Sequence, residues 1–206
     1  HNKYMRHSCI FQEYCRLFVF CLSFFMTQSY NTVMTNDNYL KNLLGAFATT
    51  IASNIEMEVA ELDGRSLSHE AALVAINNHP NDGIEMLSKV LGLTHSGSVR
   101  LVNNLVHDGF VDRHRSKIDA RAVVLCVTDA GRDRANKILL AREKITSSVL
   151  DTLGENEKER VMPILETILS AMTGNVVEAR RICRFCDEGV CRKAGCPVEI
   201  AAIKKA

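Results

Sequence analysis

Four cysteines, Cys183, Cys186, Cys191 and Cys196, stand within 14 residues of one another, spaced C-x2-C-x4-C-x4-C. Thiolates this close in the chain can close around one tetrahedral ion. Gly189 and Gly195 supply turns for such wrapping, and Arg180, Arg181 and Arg184 put positive charge where thiolates need it. Three chemistries are open. Zinc, the first expectation, would staple a tail too short to fold alone. An iron–sulfur cluster would make the tail a redox or iron sensor. Cys196-Pro197 fits the Cys-Pro that closes some cluster motifs, but the spacings are not those of ferredoxins. The third is a set of metal-free thiols, inert or forming regulatory disulfides.

A second group of residues suits a different chemistry. Thr94, His95, Ser96, Ser98, Arg100 and Asn103 crowd one short segment, and Arg113, Arg115, Lys117 and Arg121 follow within a few residues. Hydroxyls, an amide and a guanidinium at the N-terminal end of a helix can meet base edges in the major groove of DNA. Gly97 lets backbone approach closely, and backbone N–H groups there suit phosphate. Arg100 can pair with guanine or clamp phosphate, and Asn103 can read adenine. Arg121 suits a narrow minor groove, where the potential is most negative. Asp119 is expected to orient a nearby arginine.

The elements that must position these side chains are legible in the pattern. GIEMLSKVLGL reads as a short helix closed at Gly92. Thr94 is an N-cap for a second helix to about His107, and Gly109 suits a left-handed residue just past its end. Val99, Val102, Leu105 and Val106 are expected on its buried side. Residues 110–114 and 122–127 read as strands about a charged loop. Helix-turn-helix followed by a hairpin wing is the result. Before it, residues 38–62 repeat apolar positions every three or four residues, as one buried face requires. Ser66 caps a helix that ends before Pro80. After it, Thr128 or Asp129 opens a long helix to about Leu153. Residues 155–172 form another helix, in which Pro163 should make a kink. Gly174 is expected to end the globular part.

Bulk properties bound the rest. The 206 residues are 47% hydrophobic and carry a formal charge of +1, so any nucleic-acid site must be a local patch. Trp is absent, which argues against a stacking platform for single strands. No nucleophile–base–acid set, phosphate-cradling loop or H-E-x-x-H motif can be assembled, so no enzyme is expected. Cys126 reads as a small buried hydrophobe, or less readily a redox switch. His69 and His79 read as ordinary histidines, or as the lining of an effector pocket. Residues 1–33 look foreign to the remainder. We expect an upstream-translated or non-native stretch there, with Met34 or Met26 as the true start. Leu17 to Met26 is about half the length that a membrane span needs, although it has the form of a signal-peptide core.

Residues 38–173 resemble the MarR family of winged helix-turn-helix regulators. The recognition helix of that family often reads S-x-x-T-R-x-V-x-x-L, and Ser96, Arg100, Val102 and Leu105 match. The family wing has D-x-R-A, a hydrophobic strand and L-T-x-x-G. Asp119, Arg121, Ala122, Leu125, Thr128 and Gly131 match or nearly match. Val99 replaces the usual Thr, and Asn103-Asn104 replaces a frequent Asp-Arg pair. Base preference should differ accordingly, while the docking mode is kept.

The resemblance implies a homodimer joined through the first and last long helices, reading two half-sites of a pseudo-palindromic double-stranded operator. It also implies repression, relieved by a small-molecule effector or by oxidation. The expected architecture is mainly α with a small β-hairpin wing. The DNA-reading part would span residues 66–127, the dimerisation helices 38–62 and 129–173, and a cysteine-rich metal-binding tail 174–206. The expectation is a cytoplasmic regulator that binds no membrane. The alternative is a redox- or metal-responsive protein whose zinc or iron–sulfur tail is the main site and whose winged helix contacts other proteins.

Overall fold

The computed structural model describes residues 36–62, 65–119 and 121–205. The expectations for residues 1–33 lie outside these. The chain divides into two compact units, one up to Thr50 and one from Ile51 onward. Helix α1, Asn36–Ala60, runs through that division. In the first unit it presents Tyr39, Leu40, Leu43, Leu44 and Phe47, all about half exposed. The face expected from periodicity is therefore present, but little of it is covered; in α1 only Val59, in the second unit, is buried.

The second unit is built on α2 (Leu67–Asn78), α3 (Ile84–Leu91), α4 (His95–His107), strands β1 (Val111–Arg115) and β2 (Val123–Val127), and α5 (Asp129–Leu150). Leu73, Val74, Leu87, Val102, Leu105, Val111, Leu125 and Ile138 belong to one buried core. Its centre is α2, whose Ala71, Ala72, Leu73, Val74 and Ile76 are all buried. A buried ion pair that the pattern did not announce fastens α2 to α5. Arg134 donates to both carboxylate oxygens of Glu70, and its Nη1 donates to the Leu62 carbonyl at 2.8 Å. Arg134 is 5% exposed and Glu70 is 1% exposed, so neither charge has water to fall back on.

Gly92, at φ 67°, ends α3 in the left-handed conformation that glycine adopts without strain. Two residues later Thr94 caps α4 by accepting from the Gly97 N–H at 3.1 Å. The wing strands are antiparallel, with Val111 opposite Val127 and Arg115 opposite Val123. Thr128 joins wing to helix: its hydroxyl donates to the Gly109 carbonyl at 2.7 Å and accepts from the Gly131 N–H at 3.0 Å.

Two expectations require correction. The helix α5 stops at Leu150 rather than Leu153. Helix α6 (Glu155–Ala171) carries Pro163 inside it, as the sequence reading has it. The larger change is at Gly174, which does not end the folded part. Three short helices follow, α7 (Val176–Ile182), α8 (Glu188–Ala194) and α9 (Pro197–Lys204). Helix α9 packs on α6 and α7, and α7 packs on α3. Composition and a run of charge suggested a tail, whereas Ala179, Val198, Ala201 and Ala202 are buried there. Among the described residues, no helix is long and apolar enough to cross a membrane.

Candidate nucleic-acid interface

The N-terminal end of α4 is open. Thr94, His95 and Ser96 are exposed, as are Arg100 and Asn103 further along the same helix. Among the described residues, no ion pair holds Arg100, Arg115, Lys117 or Arg121, and all four are exposed. Exposed cations on a helix and on the hairpin that follows it suit a polyanion.

Ser98 departs from the expected site. It is fully buried, and its Oγ has no hydrogen-bond partner. The packed face of α4 is Ser98, Leu101, Val102 and Leu105. The face assigned from sequence was turned slightly, because Val99 was the more apolar choice over Ser98. Ser98 thus leaves the set of residues that can touch DNA, and Leu101 joins the core.

The wing and the recognition helix meet directly. Arg113 Nη2 donates to Asn103 Oδ1 at 2.6 Å. Both residues were expected at the interface separately, and the pair ties the hairpin to the helix. Side chains also build the tip of the wing. Ser116 Oγ accepts from the N–H groups of Ile118 and Asp119, and Asp119 Oδ1 accepts from the Arg121 N–H at 2.9 Å. Asp119 therefore orients Arg121, as expected of it, but through the backbone rather than the guanidinium. Ile118 at the tip is completely exposed.

Beside α4, Arg65 pairs with Asp108 and lies over the Phe110 ring, 4.9 Å from its centre. The hydrogen bond from Arg65 holds the Asp108 carboxyl below the usual range. His69 accepts or donates to Ser66 Oγ at 2.6 Å and contacts Asn104 at 3.4 Å. Cys126 is half-buried and points its thiol at Asn81 Oδ1, 3.6 Å away.

The four tail cysteines gather in one cluster. Cys183 and Cys196 are buried with Ala179, Val198 and Ala202, and Cys186 and Cys191 pack against them. The thiol of Cys183 donates to Cys186, and this bond chiefly lowers Cys186 to about 7, with Arg142 and Arg184 adding to it against burial. The same bond, burial and the neighbouring sulfurs push Cys183 up, and burial pushes Cys191 up. Among the described residues, however, no group of three or more Cys, His, Asp or Glu side chains stands as a ready ligand set.

The tail is tied to the helix-turn-helix by polar contacts that sequence gave no sign of. His79 Nε2 and Glu188 Oε1 are 2.9 Å apart, and Arg192 also pairs with Glu188. Burial pushes Glu188 up, but the His79 bond and the Arg192 and Arg180 charges bring it net below the usual carboxylate range. Arg180 pairs with Asp82, Arg181 Nη2 donates to the Lys89 carbonyl at 2.7 Å, and Asn78 Nδ2 donates to the Cys186 carbonyl at 2.9 Å.

No family model matches the chain. Among curated proteins it is similar to the HTH-type transcriptional regulator YwhA of Bacillus subtilis, 26% identical over 90 residues, covering 44% of this chain and 65% of that one. It is also similar to the transcriptional repressor MprA of Escherichia coli, 24% identical over 103 residues, covering 49% and 58%. The chain thus spans less than two thirds of the length of either relative. Among solved structures, FabT of Streptococcus pneumoniae in complex with DNA superposes with a TM-score of 0.54 at 23% identity, covering 62% of this chain and 94% of that one. Wild-type MarR of Escherichia coli gives 0.53 at 19%, covering 63% and 96%. With its two-stranded wing, capped α4 and long flanking helices, the chain has the winged helix-turn-helix fold of these solved MarR-type structures.

Proposed function

We infer that the chain is a DNA-binding transcriptional regulator, not an enzyme, and that it represses by occupying an operator as a homodimer in the cytoplasm. One observation carries this reading. Arg100 on α4 and Arg115, Lys117 and Arg121 on the wing are exposed and, among the described residues, in no ion pair, and the Arg113–Asn103 bond ties the wing to α4. A solved neighbour of the same fold holds DNA, and the sequence relatives bear the names of regulators. In this reading α4 lies in the major groove, with Thr94, His95, Ser96, Arg100 and Asn103 toward base edges. The wing lies along phosphates, with Arg121 at the minor groove.

A second copy completes the unit. The exposed apolar faces of α1 and of α6, the latter with Met162, Ile164, Leu165, Ile168 and Met172, are each larger than scattered surface residues explain. Two recognition helices then meet two half-sites about one helical turn apart. A small molecule or a change at the tail cysteines releases the operator by altering the spacing of the heads.

The test is retardation of DNA from the promoter region of the chain's own gene, titrated at several salt concentrations. Specific retardation is expected, weakening as salt rises. The Arg121→Ala protein should bind more weakly on all sequences, with the salt slope reduced by about one contact. Retardation that is absent, or that Arg121→Ala leaves untouched, overturns the assignment of the wing.

A further inference from the structure

The three tail helices are seven, seven and eight residues long. Helices this short are unstable unless something outside them holds them. Their shared core is small: two alanines, one valine and two cysteines are its buried members. A cavity of about 230 Å³ lies among Cys183, Cys191, Cys196, His79, Glu188 and Arg192, among others. With so little apolar surface of its own, the tail depends on what it packs against, and short segments of this kind commonly gain a metal or a disulfide as a further staple.

Each cysteine comes from a different local position. Cys183 is the C-cap of α7, Cys186 lies in the turn after it, Cys191 is inside α8, and Cys196 is the N-cap of α9. One ion held by all four would therefore bind every tail element to every other. We propose that Cys183, Cys186, Cys191 and Cys196 take one zinc-class divalent cation as a tetrathiolate, and that this ion locks the tail onto the first helix of the helix-turn-helix. The side chains stand as free thiols. On uptake each sulfur gives its proton to solvent and its lone pair to the ion, and the clustered side chains, which do not stand as a ligand set without it, turn to meet it. Four thiolates on a divalent ion carry net charge of minus two, and Arg180 and Arg192 line the same cavity as Cys183, Cys191 and Cys196, where their charge offsets it.

The lock follows from the contacts already described. Arg180 precedes Cys183 by less than one turn and holds Asp82, just before α3. Arg181 holds the Lys89 carbonyl near the end of α3, and the Cys186 carbonyl holds Asn78 at the end of α2. An ion that fixes Cys183 and Cys186 therefore grips α3 at both ends. The lock gains its regulatory meaning from the DNA-binding reading, but its test uses no DNA.

The full chain, kept reduced, is stripped with a chelator and titrated with Co²⁺ and then Zn²⁺. The expected result is one ion per chain, with the thiolate-to-cobalt absorption and visible bands of a tetrahedral thiolate site, bleached by Zn²⁺. Cys183→Ser and Cys196→Ser should lose these bands, and Cys126→Ser should keep them. Because serine variants can lose the tail fold, amide exchange is measured on the wild-type chain with and without Zn²⁺. Stripping should speed exchange in residues 84–91 and 176–204 about tenfold or more. A folded, reduced chain with no cobalt bands, a chain isolated with iron and sulfide, or exchange indifferent to Zn²⁺ overturns the proposal.

Discussion

Single side chains separate reading from packing in α4. Ser98 looked like a hydroxyl for a base edge, yet it sits against Leu101 and Leu105 with its Oγ unpartnered. A buried hydroxyl without a partner costs free energy, so removing it costs little. Ser98→Ala is therefore expected to leave DNA affinity unchanged and to change stability by no more than about 1 kcal/mol, in the stabilising direction. Parallel denaturation and operator titrations check both. A loss of affinity would return Ser98 to the interface. At this scale the sequence was half legible. Polar residue types picked out the segment proposed to read DNA, but one residue of helical rotation decides which side chains face out, and Val99 and Ser98 do not settle that by polarity. The Glu70–Arg134 pair was illegible for a related reason: two charges 64 positions apart in sequence become partners only when α2 lies on α5.

The elements of the winged helix were legible almost to the residue, because each carries its own local signal. Thr94 and Thr128 cap, and Gly92 and Gly109 take positive φ. The glycine of L-T-x-x-G has a packing reason that no local rule reveals. A Cβ on Gly131 would lie 1.9 Å from the Phe110 carbonyl oxygen, so backbone meets backbone where α5 leaves the wing. Gly131→Ala should cost at least about 1–3 kcal/mol, since no flexible side chain can give way. Thermal unfolding measures it, and a shift within error would mean that the wing junction is looser than described. The tail elements were not legible. Arg180, Arg181 and Asn78 are ordinary surface residues in sequence, and only the docking of α7 on α3 turns them into ties.

At the scale of the molecule the main open account is apolar surface. The described part of α6 buries no residue completely, and its Leu165 and Ile168 are 46% and 41% exposed. Leu165→Glu with Ile168→Glu should move the chain to a monomer in sedimentation velocity while leaving its helix content intact. Operator affinity should fall by far more than either head loses, because two linked half-sites multiply affinity through effective concentration. A dimer that survives both charges would place the interface elsewhere. Periodicity made these helices legible as apolar, but a single chain does not say which apolar face turns to its own core. The loop from His79 to Asp82 has a different consequence. His79 and Asp82 hold the tail through Glu188 and Arg180, while Asn81 and Asp82 exchange backbone bonds with Leu125 of the wing. Asn81 does so at φ 76°, where few residues other than Asn and Gly rest easily. Such a polar connection between two helices is ordinarily free to lengthen, shorten or drift as a lineage diverges. Here three parts of the protein share it, so insertions are closed off and substitutions must arrive in matched pairs, and the loop should evolve as slowly as the interior it lies outside.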